Sequence, residues 1–136
     1  MFILDTNVVS ELRRRTKADR KVAAWAKVIP LSQMFLSVIT ILELEKGTLL
    51  MERKDVRQGQ QLRTWLDDQV MARFDGRILS IDAVVAKRTA RLHVPSPGSE
   101  RDTMIAATAL VHRMTVVTRN VADFSASGVT ILNPWD

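Results

Sequence analysis

Met1-Phe2-Ile3-Leu4-Asp5-Thr6-Asn7 opens the chain with a short apolar run that is stopped at once by three polar residues. Apolar residues closed by Asp-Thr-Asn form the pattern of a buried strand running into a turn. Asp5 therefore falls at a strand's C-terminal end. In open parallel α/β sheets ligands bind outside that edge, which makes Asp5 a candidate functional acid. A local reading competes with this one: Asp5 or Asn7 simply caps a helix that begins near Val8.

The same strand-then-helix unit recurs along the chain. A short helix through Val8, Val9 and Leu12 leads to Arg13-Arg14-Arg15 and Lys17, a solvated face or a set of phosphate-binding cations. Val22, Trp25, Ala26 and Ile29 fall at helical spacing until Pro30 ends the pattern. Met34 to Ser37 reads as a second strand, and Val38 to Arg53 as a long helix. From Val56 to Phe74 the residues Leu62, Trp65, Leu66, Val70 and Phe74 form one stripe of an amphipathic helix. The turn Asp75-Gly76 precedes a third strand, Ile78 to Ile81, and a helix from Asp82 to His93, which Val94-Pro95-Ser96-Pro97-Gly98-Ser99 breaks. Glu100 to Arg113 is helical and apolar on nearly every side, hence buried. Thr115 to Thr118 is a fourth strand, Asn120 to Phe124 a turn or short helix, and Val129 to Leu132 a fifth strand. Strands that alternate with helices and are themselves nearly all apolar predict an α/β fold with a parallel sheet covered on both faces.

The 136 residues suffice for one domain, residues 1–136, with its own core. Without cysteine there are no disulfides and no thiolate chemistry, and His93 and His112 lack the spacing of a metal pair. No apolar run approaches the ~18 residues that span a bilayer, and no basic leader precedes an apolar core, so the expectation is a soluble, cytoplasmic protein. Lys and Arg number 20 against 15 Asp and Glu, and the pI is about 10.2, which favours a polyanionic partner. With five glycines the chain carries neither nucleotide-binding fingerprint.

Several acids follow strands and so collect near one edge of the predicted sheet. Asp5 ends the first strand, Glu43 lies in the helix after the second, Asp102 in the first turn of the buried helix, and Asp123 shortly after the fourth strand. Each also has a structural reading. Ser99-Glu100-Arg101-Asp102 resembles a capping box, and Asp123 can cap a turn. Glu43 competes with Glu45, since residues two apart on a helix point in different directions and periodicity does not choose between them. Four carboxylates in one cleft would raise one another's pKa unless a cation neutralised them. An oxygen-only donor set suits Mg²⁺ or Mn²⁺. An acidic, metal-loaded cleft on a basic protein fits a phosphodiester substrate.

These residues resemble the PIN-domain ribonucleases, and among them the VapC-type and FitB-like toxins of bacterial toxin–antitoxin pairs. The likeness rests on Ile3 to Leu12, on Leu36-Ser37-Val38-Ile39-Thr40 leading to Glu43-Leu44 and Gly47, on Asp102 to Ala109, on Val117 to Phe124 and on Leu132-Asn133-Pro134-Trp135. It implies a single PIN-like α/β/α sandwich around a mostly parallel five-stranded sheet. It also implies a Mg²⁺ or Mn²⁺ site and hydrolysis of RNA. It carries the family's acidic quartet onto Asp5, Glu43, Asp102 and Asp123, so choosing Glu43 over Glu45, with Thr6, Asn7, Thr118 and Asn120 in support. A homodimer and a small antitoxin protein that blocks the site are further implications. Asn120 stands where some members carry an acid, a departure that bears on a second metal position, and the Pro97 to Arg101 approach to Asp102 is unusual for the family. Two other readings compete. An aspartyl-phosphate enzyme fails for want of a second Asp at Asn7 and of a suitable Lys near Thr118, whereas a catalytically silent PIN-like module binding RNA or protein keeps the fold without the reaction.

Overall fold

A computed structural model describes residues 1–136. The five strands are β1 (Phe2–Leu4), β2 (Met34–Ser37), β3 (Ile78–Leu79), β4 (Thr115–Val117) and β5 (Ile131–Leu132). They lie in the order β3-β2-β1-β4-β5, and every pair is parallel. The helices are α1 (Thr6–Arg13), α2 (Arg20–Val28), α3 (Val38–Lys54), α4 (Val56–Thr64), α5 (Met71–Arg73), α6 (Ala83–His93), α7 (Glu100–His112) and α8 (Val121–Ser125). Between α4 and α5 the chain keeps turning as a π-helix, Trp65–Val70. The expected single helix from Val56 to Phe74 is therefore continuous in path, with a wider middle.

Alternation along the strands explains the three layers. Ile3 and Val116 point to one face, among Ile105, Ala106, Ala109 and Phe124; Leu4, Leu36 and Val117 point to the other, among Val8, Leu66, Val70 and Phe74. Successive strand residues face opposite ways, so a strand that is apolar at every position buries both faces. α7 presents Ile105-Ala106-Ala107-Thr108-Ala109 as a wholly buried run, its small side chains letting the helix lie close to the sheet. Emptying the site of Phe124, which is fully enclosed, would cost about 3–5 kcal/mol.

The edge strands are shorter than the sequence predicts. Ser80 and Ile81 lie outside β3, and Val129 and Thr130 outside β5. An edge strand has a ladder on one side only, so fewer of its residues are held.

Strand order fixes where a site can form. From β1 the chain moves to β2 and β3 on one side, then crosses to β4 and β5 on the other. The switch therefore lies between β1 and β4, and the crevice of such a sheet opens outside the carboxyl ends of those strands. Asp5 and Thr118 are the residues that follow β1 and β4.

Candidate active site

Asp5 is held at the switch point from three directions. Its backbone N–H donates to the carbonyl of Val117 at 2.9 Å, extending the β1–β4 ladder. Its Oδ1 accepts the N–H of Thr6 at 2.8 Å, which makes it the N-cap of α1. Its Oδ2 accepts from the Thr118 hydroxyl at 2.8 Å and from Asn7 Nδ2 at 3.1 Å. Capping and site-building are thus the same placement, not alternatives. Asn7 also donates to Thr118 Oγ1 at 3.3 Å and accepts the N–H of Arg119 at 3.2 Å, stitching the two loops together. The N–H of Asn120 donates to Thr118 Oγ1 at 2.9 Å. Asp5 is only 5% exposed, and that burial holds its carboxyl above the ordinary range, against the hydrogen bonds from Thr118 and Thr6 that pull it down.

Glu43 is fixed from the other side of the crevice. The Thr6 hydroxyl donates to Glu43 Oε1 at 2.7 Å and lies 3.2 Å from the hydroxyl of the buried Thr40, one turn earlier on α3. Arg101 Nη1 stands 3.7 Å from Glu43 Oε2. Glu45 points elsewhere, into a forked pair with Arg63 at 2.6 and 2.8 Å, and that guanidinium holds its carboxyl below the usual value. Arg63 reaches Glu52 as well, at 3.2 Å, and so clamps α3 against α4. Glu43 is therefore the acid turned toward Asp5.

Asp102 sits in the first turn of α7 beside Asp123, and both line a small cavity of 120 Å³ with Ser99 and Ser127. The expected capping box is not formed. Ser99 makes no side-chain cap, and its carbonyl instead accepts the Thr103 hydroxyl at 2.6 Å. Asp102 faces the other acids, with the Ser99 side chain the one group that favours its charged form. Its pKa is pushed up to about 6, first by burial and then by the charges of Asp5, Asp123 and Glu43. Asp123 lies exposed in the first turn of α8, which has no side-chain cap. All four predicted acids thus share one field, and Thr6, Asn7, Thr118 and the backbone of Asn120 surround them. The sequence patterns assign no role to Thr40 and Arg101. Thr40 has a local signal, its i,i+3 spacing from Glu43.

No three of these acids close into a ready ligand cage. Like charges repel, and the acids border separate openings, Glu43 one and Asp102 with Asp123 another, without converging on a point. The donor set is nevertheless that of a hard divalent cation: carboxylate oxygens only, no sulfur or imidazole, with neighbouring negative charges adding to burial in raising the pKa of Asp5 and Asp102.

A parallel three-layer sandwich with an acidic crevice at its switch point is a defined class of α/β domain. The chain belongs to the PIN domain family, which matches residues 2–126. It is similar to the VapC ribonuclease Y4jK of Sinorhizobium fredii, 36% identical over 141 residues that cover 100% of this chain and 99% of that one. It is 37% identical to Toxin FitB of Neisseria gonorrhoeae over 99% of both chains. The crystal structure of FitAcB from Neisseria gonorrhoeae matches it with a TM-score of 0.91 at 35% identity, again over 99% of both chains.

Proposed function

We propose that the protein is a Mg²⁺- or Mn²⁺-dependent endoribonuclease that acts as the toxin of a toxin–antitoxin pair. The observation that carries this reading is the grouping of Asp5, Glu43, Asp102 and Asp123 at the switch point, where Asp102 feels the charges of the other three and Asp5 those of Glu43 and Asp123. The names of its relatives, a VapC ribonuclease and the toxin FitB, support it.

In this reading Asp5, Asp102 and Asp123 hold the cation. Bound there, it supplies positive charge at the scissile phosphate and makes water a better nucleophile at neutral pH. The rest belongs to the chain. Thr118 and Asn7 hold the Asp5 carboxylate in place by hydrogen bonds, and the Thr118 hydroxyl favours its charged form. Glu43, steadied by Thr6, orients the attacking water and accepts its proton at a carboxylate oxygen. Arg101 beside Glu43 and the net charge of +5 draw the RNA backbone in. No helix is long and apolar enough to cross a membrane, and we place the reaction in the cytoplasm, in a homodimer whose crevices a small antitoxin protein blocks.

RNA-end sequencing after incubation of the pure protein with Mg²⁺ tests the assignment. Defined new ends are expected with the natural chain and none with Asp5→Asn; equal cleavage by the two overturns it. The open spacing of the acids favours one second reading, a catalytically silent PIN module that binds RNA or protein. Calorimetry separates the two, because a silent module takes up no Mn²⁺.

A further inference from the structure

A cavity of 220 Å³ opens beside Glu43, between α1, α3 and the π-helical turn, with Ser10, Arg13, Gly47, Leu62 and Trp65 in its wall. Two observations indicate that this space is kept rather than left over. Gly47 lies in the interior of α3, where glycine is less favourable than alanine, yet a Cβ there would meet no atom within 4 Å. Packing therefore does not require the glycine; what its missing side chain preserves is the opening. Arg13 is the second observation. Within the basic run Arg13-Arg14-Arg15, Arg14 pairs with Glu11 at 3.1 Å. Arg13 has no carboxylate partner and rests over the ring of Trp65, 5.7 Å from its centroid. The cation is thus held at the cavity with its charge uncompensated.

We propose that this cavity is a subsite for one nucleotide of single-stranded RNA adjacent to the bond that is cut. The base lies among Leu62, Trp65 and the open face at Gly47, the Ser10 hydroxyl meets its polar edge, and Arg13 takes its phosphate. The place of the scissile bond rests on the nuclease reading above; the subsite itself rests on the cavity. Several features favour RNA as the occupant. The volume lies below the ~300 Å³ at which pockets for larger organic ligands begin. A tryptophan and two leucines beside hydroxyls and a cation match a splayed-out base and its phosphate, and the site adjoins the acidic crevice through Glu43.

The test measures binding on an Asp5→Asn background, by fluorescence anisotropy with labelled single-stranded RNA hexamers that vary one base at a time. Gly47→Leu sets a side chain at the cavity from a Cβ position that meets no atom within 4 Å, and Arg13→Gln removes the exposed cation. Gly47→Leu is expected to weaken binding tenfold or more and to erase base preference at one position. Arg13→Gln is expected to weaken all sequences alike and to lower the slope of log affinity against log salt by about one. Affinity and base preference unchanged in both variants overturn the subsite, as does a Gly47→Leu protein that keeps its RNA affinity but loses a bound partner peptide. If the Gly47→Leu chain fails to fold, Arg13→Gln alone decides: an unchanged affinity and salt slope overturn the subsite. Cutting of the same hexamers by the natural chain with Mg²⁺ is scored separately: no cutting overturns the nuclease reading, while the binding data still decide the subsite.

Discussion

The hydroxyl of Thr118 donates to Oδ2 of Asp5 at 2.8 Å, joining two buried residues 113 positions apart. One bond thus ties the ends of β1 and β4 together and favours the charged form of an acid whose burial opposes it. Thr118→Val preserves shape and removes the donor. Partners that orient a ligand typically contribute about 10–100-fold to metal affinity. Titration calorimetry should show Mn²⁺ binding weakened by about that factor, with the circular dichroism spectrum unchanged; undiminished binding would contradict the role given to this hydroxyl.

Asp102 should make the metal-free protein less stable as pH rises. Its folded-state pKa of about 6 lies above the ordinary 3.8. The folded chain therefore holds a proton between those values that the unfolded chain has released. Stability from this group is fully present below about pH 4 and is lost as pH rises through about 6. Without metal, Asp102→Asn should raise the melting temperature at about pH 7.5 and leave it unchanged at about pH 3.5. Added Mg²⁺ should reverse the order at the higher pH, because ligand binding stabilises only the chain that can bind. A uniform effect of the substitution at both pH values would count against the shared field.

Glu43 and Glu45 should part company on substitution. Glu43→Gln is expected to reduce Mg²⁺-dependent RNA cleavage by about 100-fold or more, in keeping with the worth of a positioned acid–base group. Glu45→Gln, which only loosens a surface fork to Arg63, should retain cleavage and cost at most about 1 kcal/mol in urea unfolding. Gel assays beside denaturation curves read both; matched losses of activity would rule out the distinction.

Gly59 is where α4 touches α3. A Cβ at this position would stand 2.5 Å from the Cα of Glu52, a backbone atom that has no side-chain freedom to yield. Gly59→Ala should therefore destabilise the fold by about 1–3 kcal/mol, although alanine favours helix. Gly47→Ala, in open space, should stabilise it by about 0.5–1 kcal/mol. Opposite shifts in urea midpoint are the expected result, and shifts of the same sign would refute the packing argument.

What the sequence discloses of this architecture follows from how local each signal is. β1, β2 and β4 are apolar runs closed by polar turn residues, and α7 is a buried run of small side chains. Both patterns are complete within a few positions. The π-helical turn at Trp65–Val70 is invisible by the same means, since its apolar stripe is compatible with either winding. The edge strands come out short because pairing on one side depends on a neighbour, not on their own composition. Asp5 announces itself by its place at a strand end. The choice of Glu43 is decided by Thr6 on one side and by Arg63, 18 residues from Glu45, on the other. No helical period within α3 contains that information.

The strand order carries a further consequence for synthesis of the chain. β1 lies in the middle of the sheet, and its β4 neighbour leads to Thr118, 113 positions after Asp5. A nascent polypeptide halted before that point has β1 paired on the β2 side only and Asp5 without its bonds to Val117 and Thr118. The acidic site is therefore completed only once the chain has been made through Thr118.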